Sequence, residues 1–135
     1  MKSLFLFSIL FTLLGPLTAQ KTIFFTGTTN SEEINSIAVC ELDESSSEIS
    51  IIKKMQGGQR PGYIAISKDK NFLYAVSSEN FGGNNNENSL NAFKIDKDSW
   101  NLTQLNQQSS HGLNPCYISL SPSGNTLFTA NYNSG

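Results

Sequence analysis

The sequence predicts an all-β fold, and three observations predict it. Beyond the first stretch, no segment carries a helical apolar period. Short runs of β-branched and aromatic residues instead alternate with clusters of Asn, Ser, Gly and Asp, which serve turns. The third observation is an internal repeat. Arg60–Ser77 (RPGYIAISKDKNFLYAVS) aligns without gaps on Asn114–Asn131 (NPCYISLSPSGNTLFTAN), so that Pro61 matches Pro115, Tyr63 matches Tyr117 and Leu73 matches Leu127. The loops before them match too, Gly58-Gln-Arg-Pro61 against Gly112-Leu-Asn-Pro115. The segment Asn35–Asp43 likewise pairs with Asn88–Asp96. Four antiparallel strands recurring at this spacing, about 50 residues, read as the blades of a β-propeller.

Taken in order, the first element lies outside the fold. Lys2 supplies a positive start, Leu4–Leu14 an apolar run, Gly15-Pro16 a break and Leu17-Thr18-Ala19 a cleavage site. This is the pattern of a secretory signal peptide over residues 1–19, leaving residues 20–135 as a partial propeller. The run is too short to span a bilayer, which needs about 20 residues. The expected product is exported, periplasmic or extracellular, with no membrane association after cleavage.

Ile23–Gly27, Ser36–Leu42 and Glu48–Lys53 form a first blade that lacks its innermost strand. Tyr63–Ser67, Phe72–Ser78, Ser89–Ile95 and Leu102–Gln107 form a complete second blade. A third blade begins with two strands before Gly135. Between them, Lys68–Asn71 and Ser121–Asn125 are tight turns, in which Pro122 presets φ and Gly124 accepts a positive φ. About two and a half blades are therefore expected. Open sheet edges favour aggregation, which points to a chain that is truncated.

Charge and cysteine usage narrow the function classes. The formal net charge is −2 and no basic stripe exists, so no nucleic-acid partner is expected. The nearest basic feature, Lys53-Lys54, reads as solvated charge at a strand end. With one His and no ligand spacing, neither a metal nor another cofactor is expected. Cys40 and Cys116 occupy non-equivalent repeat positions and read as two free thiols, small buried hydrophobes rather than a disulfide.

The blade segments resemble the lactonase family, of which 6-phosphogluconolactonase is the namesake activity. The resemblance rests on Gly112–Gly135 (GLNPCYISLSPSGNTLFTANYNSG), on Arg60-Pro61 through Leu73–Glu79, and on Ile23-Phe-Phe-Thr-Gly27. The Gly-x-x-Pro-Cys preface and the closing Ala-Asn-Tyr-x-Ser-Gly carry the most specificity. The resemblance implies a seven-bladed propeller whose substrate is a small-molecule lactone, hydrolysed to the open carboxylic acid. A carboxy-muconate cyclase shares the same architecture, so ring-ester chemistry in either direction is implied. One departure stands out: where many members carry His after Pro-Cys, this chain has Tyr117.

Strand alternation brings the loops entering the innermost strands to the same face as the loops leaving the second strands. That places Arg60 and His111 near Glu79, Asn80, Asn131 and Tyr132. Lactone hydrolysis needs a base, oxyanion donors and, for a phosphorylated substrate, a cation. Glu79 and His111 are the catalytic candidates. Arg60, Asn80 and Asn131 are the substrate-binding candidates. Each has a plainer alternative: Arg60 and His111 as solvated loop residues, Asn131 as a turn cap, Tyr63 and Tyr117 as packing. Trp100 is expected between blades. The Asn- and Gly-rich stretch Asn80–Asn91 reads as a connection or a lip over the channel mouth. Asn101-Leu-Thr103 matches a glycosylation sequon. The competing functional class is a non-catalytic exported propeller that binds a protein or glycan.

Overall fold

The alternation of side chains along each short segment decides what the segments become. The computed structural model describes residues 20–29, 36–78 and 88–135. Among these the regular elements are nine strands: β1 Lys21–Gly27, β2 Ile37–Asp43, β3 Glu48–Met55, β4 Ile64–Ile66, β5 Phe72–Ser77, β6 Ser89–Ile95, β7 Leu102–Ser109, β8 Pro115–Leu120 and β9 Leu127–Asn131. They form three antiparallel sheets in simple sequential order, β1-β2-β3, β4-β5-β6-β7 and β8-β9. The expected three-, four- and two-strand pieces are therefore observed, with strand ends moved by a few residues. The leader, residues 1–19, lies outside the described residues.

The repeat is visible in the backbone. Ser47 and Trp100, Lys70 and Gly124, and Arg60 and Asn114 are repeat-equivalent pairs, and all six adopt positive φ, between 47° and 75°. The repeat-equivalent hairpins β2–β3 and β6–β7 are closed in the same way. Asp43 Oδ1 accepts from the Ser45 and Ser46 amides at 2.9 and 3.2 Å. Asp96 Oδ1 accepts from the Asp98 and Ser99 amides at 3.0 and 3.3 Å. The tight turns before β5 and β9 share a second device. Ser67 Oγ accepts from the Phe72 amide at 2.9 Å, and Ser121 Oγ from the Thr126 amide at 3.2 Å.

The first two blades meet through an apolar layer. Ile37 of β2 packs with Leu73 and Ala75 of β5 and Phe93 and Ile95 of β6, flanked by Phe25, Ile64, Trp100 and Leu102. Trp100 thus sits between blades as expected. Gly27 allows the closest backbone approach, since a Cβ there would lie 1.8 Å from the Pro61 carbonyl oxygen. Lys53, read from sequence as solvated charge, instead ties the blades together. Its Nζ donates to the Ser99 carbonyl at 2.8 Å and to Asn101 Oδ1 at 2.7 Å. That contact also occupies the side chain of the sequon asparagine. The second and third blades meet at their inner edges, where β8 contacts β4 and β5.

Candidate functional site

The first strands of the second and third blades, β4 and β8, enter through loops that end in X-Pro, Arg60-Pro61 and Asn114-Pro115. Proline disfavours a helical backbone in the residue before it. Arg60 and Asn114 nevertheless hold φ of 47° and 57°. Asn tolerates the left-handed region, whereas Arg pays roughly 1–2 kcal/mol for it. Such outliers concentrate at functional sites.

What holds these loops is a set of side chains from the strands behind them. Ser77 Oγ accepts from the Gln59 amide at 2.8 Å and donates to the Gln59 carbonyl at 3.1 Å. Ser36 Oγ donates to the Gly58 carbonyl at 2.7 Å. In the next blade, Asn131 stands at the position of Ser77 and its Nδ2 donates to the Ser110 carbonyl at 3.1 Å. Asn88 Oδ1 accepts from the Asn114 amide at 3.1 Å. Gly58 has φ of 90° and lies against Asn91 and Ser77, leaving no room for a side chain.

The loops converge with the ends of the second strands on a cavity of about 180 Å³ lined by Thr29, Arg60, Gly62, Val76, Ser78, Asn114, Pro115 and Cys116. Residues from all three blades contribute. The lining carries one cation and several hydrogen-bonding groups and, among the described residues, no carboxylate. Such a pocket favours an anionic or carbonyl-bearing ligand. Asn114 is 6% exposed, and its Nδ2 has no hydrogen-bond partner.

The sequence-predicted residues fare unequally. Arg60 lies in the cavity. Asn131 sits behind it, clamping the loop that carries His111 and Gly112. His111 is exposed on that loop with φ of 53°, its amide donating to Ser109 Oγ at 3.1 Å, and it does not line the cavity. Glu79 and Asn80, with most of the Asn-rich stretch after them, fall outside the described residues; Ser89–Asn91 belong to β6.

Two residues were missed by sequence reasoning. Asn114 was legible as the repeat partner of Arg60. Cys116 was read as a core hydrophobe, yet only Cys40 is buried and Cys116 is exposed. The reason is a β-bulge: the β8–β9 register shifts between Pro115 and Tyr117, which re-aims Cys116 toward the cavity. Both thiols are free, as expected.

Tyr63 and Tyr117 pack against each other across the blade boundary. Their rings meet with centroids 4.6 Å apart and planes tilted by 50°. They remain 37% and 46% exposed. Partial loss of water around the ring and a hydrogen bond with Tyr117 hold the Tyr63 phenol above the ordinary tyrosine pKa.

Comparison with known proteins places this geometry. The family model of the lactonase, 7-bladed β-propeller, matches residues 22–135. The 6-phosphogluconolactonase of Bacillus subtilis is 32% identical over 115 residues, 85% of this chain and 32% of that protein. A crystal structure of a candidate 6-phosphogluconolactonase from Bacteroides fragilis superposes with a TM-score of 0.67 at 29% identity, covering 80% of this chain and 28% of that one. The periplasmic gluconolactonase of Pseudomonas aeruginosa gives 0.74 at 24% identity, covering 84% and 31%. The chain spans about a third or less of the length of the curated relatives it matches. It belongs to the lactonase family of seven-bladed β-propellers.

Proposed function

We propose that the protein hydrolyses a sugar lactone to the open carboxylic acid, in carbohydrate metabolism, with the substrate bound at the cavity around Arg60. The observation that carries this reading is the convergence of Arg60, in a left-handed backbone, and Asn114 on one pocket, in a chain of this family. In the reaction, water adds to the lactone carbonyl and gives its proton to a base. The ring C–O bond then breaks, and the departing alkoxide takes a proton. Arg60 serves the substrate's anionic or oxygen-rich side, and Asn114 lines the pocket beside it. Asn131, with one amide proton already given to Ser110, acts mainly by holding the loop. Glu79 is the residue proposed for proton transfer and Asn80 for a further hydrogen bond; His111, exposed on its loop and outside the cavity lining, takes no step at this pocket. No metal or cofactor enters the scheme. The non-catalytic alternative gains no support from the relatives, which are named as lactonases.

The test is acid release from glucono-δ-lactone and from 6-phosphogluconolactone, followed by pH-stat. The expected rate exceeds spontaneous opening severalfold or more; a rate equal to the protein-free control refutes the reading. We further propose export by the leader of residues 1–19, which the periplasmic relative supports. N-terminal sequencing of the mature protein is expected to begin at Gln20; a chain recovered from the cytoplasm with Met1 intact contradicts it.

A further inference from the structure

Tyr63 and Tyr117 are repeat equivalents on the inner edges of neighbouring blades. Tyr63 directly precedes β4, and Tyr117 lies in β8; both strands are the first of their sheets and they contact each other. At a tilt of 50° the two rings do not lie flat on one another but form a wedge. More than a third of each residue is open to solvent. A single exposed tyrosine needs no explanation. Two in contact, held by the fold on consecutive inner strands, make a preformed aromatic surface. Their backbones adjoin the cavity, although neither ring lines it: Val76, a lining residue, donates its amide to the Tyr63 carbonyl at 3.1 Å, and Cys116, another, immediately precedes Tyr117.

We propose that Tyr63 and Tyr117 form a stacking subsite for a six-membered sugar-lactone ring. Tyrosine offers an apolar face with a polar tip, which suits a ligand having C–H faces and a hydroxyl rim. A lactone ring is flatter than an ordinary pyranose, because its carbonyl carbon is trigonal, and it covers more of such a face. The opened acid is a flexible chain without that face. The wedge therefore holds the closed ring in preference to the open product, which gives it a role in specificity and in product release. The assignment of the ring class rests on the proposed lactonase activity.

Calorimetric titration of the protein with glucono-δ-lactam, a ring analogue that does not open, tests the subsite without requiring turnover. The lactam is expected to bind, and gluconate about tenfold more weakly or not at all. Tyr63→Leu and Tyr117→Leu, which keep apolar bulk but lose the flat face, are each expected to weaken lactam binding about tenfold, the scale of one lost aromatic contact. Tyr117→Phe retains the face and should stay within about threefold of the parent, which separates loss of stacking from loss of fold. Equal lactam affinity in both leucine variants, or no binding of lactam by the parent, overturns the subsite. If lactones are hydrolysed while KM is unmoved in the leucine variants, the subsite fails and the lactonase reading stands. If lactam binds in a tyrosine-dependent way but no lactone is hydrolysed, the lactonase reading fails and the subsite stands.

Discussion

Arg60 combines a costly backbone conformation with a place in the cavity lining. Its backbone is in the left-handed region, immediately before a proline. Its repeat partner Asn114 adopts the same conformation with a residue type that suits it. The repeat thus supplies its own control. Arg60→Asn is expected to stabilise the protein by about 0.5–1 kcal/mol, part of the strain that Asn relieves. The same change is expected to raise KM for an anionic lactone about tenfold or more, from loss of a charge-assisted contact. Denaturant unfolding and lactone kinetics on the same samples check both halves. A gain in stability with unchanged KM would make Arg60 a loop residue only.

At the scale of the element, the β2–β3, β4–β5 and β6–β7 hairpins are closed by buttressed carboxylates, whereas β8–β9 turns at Gly124. The Ser99 hydroxyl, the Asp98 amide and the Ser99 amide all donate to Asp96 and hold its carboxyl below the ordinary carboxylate range. Asp43, with Ser45 and Ser46, and Asp69, with Ser67 and Asn71, are lowered for the same reason. A depressed folded pKa stabilises the fold at pH above the unfolded value, and that contribution is lost as pH falls through the folded value. The turns should therefore hold at neutral pH and weaken only in acid. Ser99→Ala is expected to raise the Asp96 pKa toward its ordinary value and to flatten the acid side of the stability profile, over roughly pH 5 to 2. Carboxyl NMR titration of Asp96 beside acid unfolding curves reads this. An unmoved Asp96 would mean that the two amides alone set it.

For the molecule as a whole, the seam between the first and second blades is what positions the cavity. Ile37 is fully buried against Leu73, Ala75, Phe93 and Ile95, and also backs onto Gly57 at the start of the Arg60 loop. Ile37→Ala is expected to cost about 2–5 kcal/mol, the usual range for truncating a buried aliphatic side chain. Because the same side chain supports the loop, the affinity for lactone should fall along with the unfolding midpoint. A loss of stability at constant affinity would show that the Ser36, Ser77 and Asn91 contacts hold the loop unaided.

Fold class, strand count and blade grouping were legible in the sequence because they are local. Alternation, turn residues and a repeat are written along the chain, and even the positive φ at Gly124 follows from one residue and its neighbours. Strand alternation also sets which loops share a face, and Arg60 lines a cavity on that face. What only the tertiary structure decided depends on register between segments distant in sequence. The bulge at Cys116 turned an expected core thiol outward. The clamp on the Ser110 carbonyl gave Asn131 a structural task. Lys53 found Ser99 and Asn101 across a blade boundary. The meeting of Tyr63 with Tyr117 needed two blades side by side. Periodicity marks which residues are equivalent; which of them touch is set by how the sheets pack.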